Sequence, residues 1–509
     1  MVYGTSSKNR IQLSVAICIF FGLAGCGFVQ LKPLTHEEIA SGGQADRRTA
    51  QLDVAPLKGA LSLEEAIARA LKYNLDRRTR MIEEAIALNQ LDLSNYDMLP
   101  KLLASAGYRS RDKDIITRSE DSITGQPSLA NPFISSERSH TSADLGVTWN
   151  LLDLGLGFYG SKQQADLVLI AAERRRKAMH TLIQDVRTAF WRTASAQKLQ
   201  GDVKSAIKMA EGALVDARIA EAERLRSPID SLRYQRQVLE NMRLLESIDQ
   251  ELSTARVELA GLINLPLSSD LRVVEPGDTI SAELLAIPVE HMEELAIAQN
   301  SELRAQFYNT RIATAETRKT MLKLFPGLSF SYNIKYDTDR FLVNKSWNEA
   351  GLQLSFNLLN LLTGPAQVKL AEAGVALADQ RRIATQMAIL TQVHISRLQY
   401  ANAYRQFERA DAIWKVDVKI FQHIANRESA EVQSKLERIA NTTTSVLSLL
   451  RRYQAMAQVH AAASKLEATL GMEPEISSVQ EYSLSELIRI VGDSMNQWGK
   501  DKPLKRNEP

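Results

Sequence analysis

Hydrophobic residues along this chain follow two periods, one typical of helices and one typical of strands. Most of the chain has apolar residues at three- and four-residue steps, whereas Leu328 to Tyr336 alternates apolar and aromatic residues with Ser, Asn and Lys. Gly351 to Phe356 alternates in the same way, as do Asp144 to Trp149 and, more weakly, Leu102 to Arg109. A period of two puts one kind of residue on each face of a strand. The pattern therefore predicts four two-faced strands among long helices.

The helical stretches are long and have recognisable ends. Ser62 and Glu65 form a capping-box pattern before the first helix, and a second helix from about Arg77 stops at Pro100. Apolar steps then continue from about Ser161 to Leu225 and from Ser227 to Leu262. At 1.5 Å per residue, more than thirty residues give a rod of about 50 Å, which is longer than a compact domain needs.

Two helical hairpins follow from these stretches. Ser227-Pro228 suits the N-cap and first position of a helix, which predicts a hairpin tip near Leu225 to Ser227. The stretch from about Gln367 to Leu470 repeats the arrangement, and its tip is predicted near Ile439 to Thr442, with Ser434 as the alternative.

The order of elements occurs twice in the chain. Asn74, a proline-terminated helix and the segment Asn150-Leu151-Leu152 recur as Asn300, a second proline-terminated helix and Asn357-Leu358-Leu359. A spacing of about two hundred residues indicates duplication of a half-domain rather than a solenoid repeat. The predicted division is a signal peptide at 1–25, a lipidated tether at 26–60, a first repeat at 61–270, a linker at 271–285, a second repeat at 286–475 and a polar C-terminal tail at 476–509.

The N-terminus has the features of an export signal. Lys8 and Arg10 precede an apolar run of about fourteen residues, which suits a signal peptide and is short for a membrane span. The run ends in Leu23-Ala24-Gly25-Cys26, which resembles the bacterial lipobox, so Cys26 is predicted to be the lipidated first residue of the mature chain. The alternative is an ordinary signal peptide with an accidental cysteine. Gly27 resembles the sorting pattern of outer-membrane lipoproteins.

Composition and charge exclude several classes of function. The 62 basic and 60 acidic residues of the 509-residue chain are interleaved, so there is no sustained basic field for nucleic acid. The one dense basic run, Arg174 to Lys177, is interpreted as a solvated helix face rather than an anion site. No Walker loop, dinucleotide fingerprint or nucleophile elbow occurs, and we expect neither an enzyme nor a cofactor or metal. The seven histidines lack metal-ligand spacing: His36, His140, His180, His291, His394, His423 and His460.

The four strands leave two alternatives. They could form a soluble sheet packed on helices, but the apolar face is rich in Phe, Tyr and Trp, as the lipid-facing and interfacial positions of outer-membrane strands are. Four strands cannot close a barrel alone, because their edges would be unsatisfied in lipid. Three copies would give a twelve-stranded barrel wide enough to enclose water.

With these elements in order, the chain resembles the outer-membrane efflux protein family, the TolC-like channels, over roughly residues 60 to 475. The paired Asn-Leu-Leu segments and the helix endings at Gly261 and Gly471 carry the likeness, and the lipobox points to the lipoprotein branch. The resemblance implies a mainly α fold with membrane β: a homotrimer with a twelve-stranded outer-membrane β-barrel continuing into a periplasmic α-barrel of long helical hairpins. It also implies a passive duct in the outer membrane that works with a periplasmic adaptor and an inner-membrane pump.

The resemblance also points to residues at the hairpin tips. Ser227, Asp230 and Leu232 match the family's tip pattern, whereas Ser445 replaces the acidic residue expected in the second hairpin. Asp230 is the candidate for a gate at the periplasmic tip. Its alternative role is that of a solvated acidic residue in the first turn of a helix, where the helix dipole favours negative charge. The candidates for adaptor docking are Leu225, Arg226, Ser227, Ala440, Asn441 and Thr442.

Two other functions stay open at this point. One is a non-conducting periplasmic coiled-coil lipoprotein, which the aromatic alternating strands oppose. The other is the outer-membrane component of type I protein secretion, whose duct would be the same. The sequence does not specify the cargo.

Overall fold

A computed structural model of the chain describes residues 31–117, 120–127, 133–223, 227–267, 271–274, 280, 282–428, 435–472, 479 and 481–498. The chain divides into two compact units, Met1–Asp53 and Val54–Pro509. The first unit contains one described helix, α1 (His36–Gln51), within the segment predicted as a lipidated tether. Thr35 Oγ1 accepts from the Glu38 N–H while Glu38 accepts from the Thr35 N–H, and this reciprocal cap starts the helix. None of its residues is buried.

The second unit has a long helical hairpin after a pair of strands, and the same arrangement follows later in the chain. The elements of its first half are α2 (Leu63–Tyr73), α3 (Leu75–Tyr96), β1 (Lys101–Ser110), β2 (Ile116–Thr117), β3 (Phe133–Ile134), β4 (Ser139–Asn150), α4 (Leu151–Ala222) and α5 (Pro228–Leu262). The rest are α6 (Glu283–Ala286), α7 (Val289–Gln299), α8 (Ser301–Leu322), β5 (Gly327–Asp337), β6 (Ser346–Ser355), α9 (Asn360–Glu428), α10 (Lys435–Leu470) and α11 (Leu484–Trp498).

The predicted strands are present and form one sheet. Its order is β1-β4-β5-β6, and every neighbouring pair is antiparallel. The registers place Val147 between Leu102 and Tyr332, and Trp149 beside Phe330. Because side chains alternate along a strand, most apolar residues of the four strands share one face, and Leu103 and Trp347 are on the other. A separate two-stranded ribbon, β2 and β3, lies within the connection between β1 and β4.

The two longest helices, α4 and α9, have 72 and 69 residues, or roughly 100 Å each at 1.5 Å per residue. Each begins just beyond a strand of the sheet and returns as a shorter helix, α5 or α10. Asn150 starts α4, because its side-chain oxygen accepts from the Leu152 N–H at 2.8 Å. Two long hairpins are therefore built onto one sheet.

The main core lies where α2 meets α4 and the segment after α5. Leu61 pairs with Val273 in a short parallel bridge, and Gln197 of α4 exchanges two hydrogen bonds of 2.9 Å with the Val273 backbone. The buried Arg69 guanidinium donates to the carbonyls of Ala55 and Pro56 at 2.7 and 3.2 Å. These contacts fix three separate stretches of chain around α2.

The C-terminal segment differs from the expected polar tail. Helix α11 buries Leu487 and Val491 in the same core, and Lys72 of α2 donates to the Tyr482 carbonyl at 2.6 Å. Ser483 caps the helix by accepting from the Glu486 N–H, while the Glu486 carboxylate accepts from the Ser483 N–H. The tail therefore contributes an amphipathic helix to the core, with its polar residues outside.

Two asparagines join the upper helices to the ends of the hairpins. Asn74 caps α3 through the Arg77 N–H and donates to the carbonyl of Leu262, the last residue of α5. Asn300 caps α8 through the Glu302 N–H and donates to the Thr469 carbonyl in the last turn of α10, at 3.1 Å. One side chain thus satisfies orphan groups of two helix ends at each junction.

The helix ends that looked alike in sequence are built from different residues. After α10, Gly471 has a φ of +74°, and Met472 closes the turn by donating to the Glu467 carbonyl. After α5 the left-handed residue is Asn264, with a φ of +56°, and Leu265 donates to the Ala260 carbonyl. Gly261, which the sequence analysis paired with Gly471, lies within helix α5.

We expect Gly471→Ala to destabilise the protein by about 2–4 kcal/mol. A Cβ at this position would lie 2.7 Å from the Gln299 carbonyl oxygen, and the positive φ strains any L side chain. Gly261→Ala is the matched control, since its Cβ would meet nothing closer than 3.9 Å and alanine favours helix. Thermal unfolding of both variants checks this, and equal midpoints would contradict it.

Candidate functional site

The apolar face of the sheet is exposed, whereas its polar face is partly covered. Along β5, the exposed residues are Phe330, Tyr332, Ile334 and Tyr336, and the intervening Ser, Asn and Lys residues are half-buried. Phe330 is 62% exposed and Ile334 is 48% exposed. A soluble sheet shows the reverse, because it buries its apolar face against a core. The sheet therefore presents an unpartnered hydrophobic surface to its surroundings.

Polar contacts connect neighbouring strands on the opposite face. Lys335 pairs with Glu349 at 2.6 Å, and Asn150 donates to Ser329 at 2.9 Å. Gly146 lies so close to Asn333 that an added Cβ would stand 2.2 Å from its amide oxygen. These contacts, and the Asp144 carboxylate opposite Lys335, make this face polar, which suits contact with water.

At the end of the sheet far from the helices, the two strand connections are bound together. Asp339 accepts from the Glu137 N–H at 3.1 Å, and the Glu137 carboxylate accepts from the Arg340 N–H at 3.1 Å. The backbone N–H groups of Phe341 and Glu137 lower the pKa of Asp339. His140 lies 2.7 Å from Asp337 across β4 and β5. Sequence reasoning missed this network because its members are about two hundred residues apart.

The first hairpin tip lies where the sequence placed it, between Ala222 and Pro228. Ser227 occupies the N-cap position, but its side chain makes no capping hydrogen bond, and only its carbonyl accepts from the Ser231 N–H. Asp230 is in the first turn of α5, two-thirds exposed, with Arg233 3.9 Å away. Leu225 and Arg226 lie outside the described residues.

The second hairpin tip was predicted wrongly. Helix α10 is continuous from Lys435 to Leu470, so Ala440, Asn441 and Thr442 lie in its second turn rather than at a break. The interruption falls between Glu428 and Lys435, a stretch that holds the alternative, Ser434, and is outside the described residues. Nothing between Ile439 and Thr442 forces a helix to end, because Asn and Thr are tolerated within helices.

The basic run on α4 is partly solvated and partly paired: Arg174 and Lys177 are exposed, whereas Arg175 and Arg176 are half-buried. Arg175 lies 2.5 Å from Glu84 of α3, and Lys177 lies 2.6 Å from Glu302 of α8. Arg176 donates to the Gly471 carbonyl at 3.2 Å. These cations contact neighbouring helices while Arg174 and Lys177 stay exposed, so the interpretation as a solvated helix face holds for two of the four residues.

A second cluster of polar side chains that the sequence did not reveal, after the network around Asp339, lies between α4 and α10. Arg187 and Glu467 form a buried ion pair, and the rings of Trp191 and His460 stack with centroids 3.6 Å apart. Burial, together with the nearby Arg187 charge, lowers the pKa of His460 to about 3. Burial also lowers the pKa of His180 to about 4. Both imidazoles are therefore neutral at pH 7.

The described residues offer no obvious metal centre and no membrane-spanning helix. No three His, Cys, Asp or Glu side chains within this part of the chain converge as metal ligands. None of the described helices combines the length and apolarity needed to cross a bilayer. Cys26, the predicted lipidation site, lies outside the described residues.

Solved structures share this fold. The CmeC outer membrane channel of Campylobacter jejuni aligns with a TM-score of 0.65 and 12% identity over 85% of this chain and 89% of that chain. The MtrE outer membrane channel of Neisseria gonorrhoeae aligns at 0.61 and 16% identity over 80% and 88%. The outer membrane protein VceC of Vibrio cholerae aligns at 0.61 and 14% identity over 80% and 96%. No family model and no curated protein matches the chain.

These likenesses confirm the resemblance inferred from the sequence at the level of fold. The mainly helical chain with a small sheet has the fold of TolC-like outer-membrane channels. The identities are low, so the shared property is the architecture of strands and long hairpins.

Proposed function

We propose that three copies of this chain form a passive duct across the outer membrane and periplasm, the outer-membrane component of a tripartite efflux or export system. The observation that carries the proposal is the exposed apolar face of a four-stranded sheet whose other face is polar. Such a sheet is stable in lipid only when its edges are paired. A coiled-coil lipoprotein in water would leave this face exposed without reason.

The sheet itself suits closure by identical copies. Strands β1 and β6 are its edges, and each has a neighbour on one side. Because the four strands alternate in direction, β6 runs opposite to β1, so the β6 edge of one copy can join the β1 edge of the next as an antiparallel pair. Three copies give twelve strands, within the range of outer-membrane barrels. The polar face would then line the interior.

The helices offer lateral surfaces for the same assembly. Apolar residues at seven-residue spacing are exposed on α5 at Leu232 and Leu239, and on α9 at Leu370 and Leu377. Heptad spacing is the pattern of helices that pack side by side. In the proposed trimer, these stripes would contact the helices of adjacent copies and close a periplasmic α-barrel of hairpins. The two halves of the chain would be a duplicated unit.

In the proposed assembly, the two ends of the molecule would attach it to the membrane and to its protein partners. Cys26 would carry the lipid that anchors each copy to the outer membrane. The first tip, with Leu225, Arg226 and Ser227, would meet a periplasmic adaptor that joins the duct to an inner-membrane pump. Ala440, Asn441 and Thr442 remain docking candidates, although they now lie within a helix rather than at a tip. Better binding of the adaptor to an open tip would shift the population toward the open duct.

The proposed duct can be tested by measuring ion conductance with and without the Asp230 carboxylate. For an assumed distance of about 10 Å from the axis, three symmetry-related carboxylates would attract a passing cation by about 1 kcal/mol in water, roughly fivefold in local concentration. We expect the extracted particle to conduct in planar bilayers, and Asp230→Ala to lower its cation-to-anion permeability ratio by up to that factor.

Glu246→Ala is the control, because Glu246 is also exposed on α5 but lies about 24 Å from Asp230 along the helix. Its permeability ratio should match that of the unmodified protein. A particle without conductance would contradict the duct. Equal ratios in all three proteins would remove Asp230 from the gate.

A further inference from the structure

The two hairpins are joined along α4 and α10 by buried polar side chains. Trp191 of α4 and His460 of α10 stack with an interplanar angle of 5°. Two ring nitrogens of this stack are buried, Trp191 Nε1 and His460 Nε2. Neither has a hydrogen-bond partner among the described residues. One turn along α4, Arg187 reaches across to Glu467 of α10. We call this stretch, with Arg187, Trp191, His460 and Glu467, the α4–α10 seam.

The surroundings of His460 are apolar except for a few charges. Apolar groups around the stack come from α10 at Met456 and Ala457, from α9 at Phe407, and from Ile280. The charge that acts on His460 is Arg187, because it lowers the histidine pKa. The other titratable or charged groups near the seam are His180 of α4, Glu467 and Arg452 of α10, Asp411 of α9 and Glu251 of α5.

These neighbours cannot compensate a second positive charge at His460. Glu467 is engaged by Arg187, Asp411 is paired with both Arg452 and Lys415, and Glu251 interacts with Arg192 and Gln454. His460 as a whole is half-buried, but its Nε2 is enclosed and has no partner among the described residues, so a proton there would add an uncompensated positive charge beside the Arg187 guanidinium. Such a charge is costly unless the site opens to water.

We propose that the α4–α10 seam is an acid-operated latch between the two hairpins: neutral His460 stacked on Trp191 holds it closed, and protonation of His460 releases it. The direction follows from linkage. When the helices separate, water reaches His460 and its pKa returns toward the ordinary 6.5, so the open seam binds a proton that the closed seam excludes. Acidification below pH 6.5 therefore favours the open seam.

The size of the effect follows from the two pKa values. With 6.5 in the open seam and about 3 in the closed seam, the opening equilibrium rises about 25-fold between pH 7 and pH 5 for each chain. His180, whose pKa is also lowered, adds to the response if the same opening exposes it. Resting on the proposed function, the latch would let an acidic periplasm loosen the hairpins of the duct.

Hydrogen–deuterium exchange of the full-length protein in detergent tests the latch without requiring a functional channel. Peptides covering residues 186–195 and 455–464 are compared at pH 7 and pH 5, with rates corrected for intrinsic chemical exchange. We expect their protection to fall about 25-fold or more in the unmodified protein. His460→Phe keeps a stacked ring that cannot be protonated, so its response should be smaller by about 25-fold.

His394→Gln is the matched control. His394 is exposed on α9, paired with Glu293 at 2.7 Å, and its replacement should leave the full pH response. His460→Gln provides a second neutral side chain if phenylalanine fails to fold. Unchanged protection between pH 7 and pH 5 in the unmodified protein, or a full response in both His460 variants, would overturn the latch. Failure of conductance with a normal exchange response would overturn the duct alone.

Discussion

Trimeric particles are expected to disappear from the outer membrane when Ile334 is replaced by lysine. Ile334 lies two residues beyond the centre of β5 on the exposed apolar face, beside Leu145 of β4. A lysine facing lipid costs about 2–4 kcal/mol near the bilayer midplane. A trimer contains three such lysines, and their summed cost of about 6–12 kcal/mol is comparable to the whole free energy of unfolding of an ordinary protein. Quantitative immunoblotting of native gels from outer-membrane fractions measures the effect.

Ser105→Lys is the control for this substitution. Ser105 is one register row from Ile334, but on the polar face, and it lies opposite Asp144. A lysine there would face water and an opposite charge, so we expect trimers at close to the normal level. Equal loss in both variants would mean that the sheet does not distinguish lipid from water. Loss in Ser105→Lys alone would place lipid on the opposite face.

The second large effect is expected at the buried ion pair of the seam. Glu467→Leu leaves the Arg187 guanidinium buried without its carboxylate, and breaking a buried pair in this way costs about 3–5 kcal/mol. Replacing both residues with leucine should recover most of the loss, because no buried charge remains. Denaturant unfolding of the detergent-extracted protein, followed by circular dichroism, measures the three free energies.

An exposed ion pair supplies the comparison. Lys177 and Glu302 are 2.6 Å apart, but each side chain is more than half exposed, so Lys177→Met should cost under about 1 kcal/mol. If Glu467→Leu also costs less than about 1 kcal/mol, the pair is accessible to water and the seam is not a buried latch. If the double variant is no more stable than Glu467→Leu, the loss comes from packing.

The strands and the first tip could be predicted because local sequence determines them. Alternation of Phe, Tyr and Ile with polar residues is typical of strands rather than helices. Ser227-Pro228 interrupts a helical period. The second tip has no Gly or Pro between Glu428 and Lys435, so the helical pattern passes through it without a break. Without such a signal, the tip was predicted at Ile439 to Thr442, which the structure places within α10.

Two helices were missed although their start signals were present. Thr35 and Ser483 directly precede α1 and α11, and Glu38 and Glu486 follow them three residues later, the spacing recognised at Ser62 and Glu65. Both segments are rich in polar residues, and for that reason no helix was predicted there despite the capping signals. Helix α11 is attached to the core by the buried Leu487 and Val491, with the partly buried Leu484, Ile488 and Met495 packed against the same cluster.

The buried seam could not be predicted, because its partners are distant in the chain. Arg187 and Glu467 are separated by 280 residues, and nothing in either local sequence marks a charged residue as buried. Trp191 and His460 likewise meet because α4 and α10 pack along their lengths. Such contacts depend on the packing of whole helices, which a single sequence does not specify.

The stoichiometry of the particle in the outer membrane tests the central claim most directly. The full-length protein is extracted from purified outer membranes in mild detergent, and its native mass is measured by light scattering with correction for bound detergent. We predict a homotrimer, since three sheets of four strands are needed to close the barrel. A stable monomer in that extract, or a protein absent from the outer membrane, would contradict the shared duct.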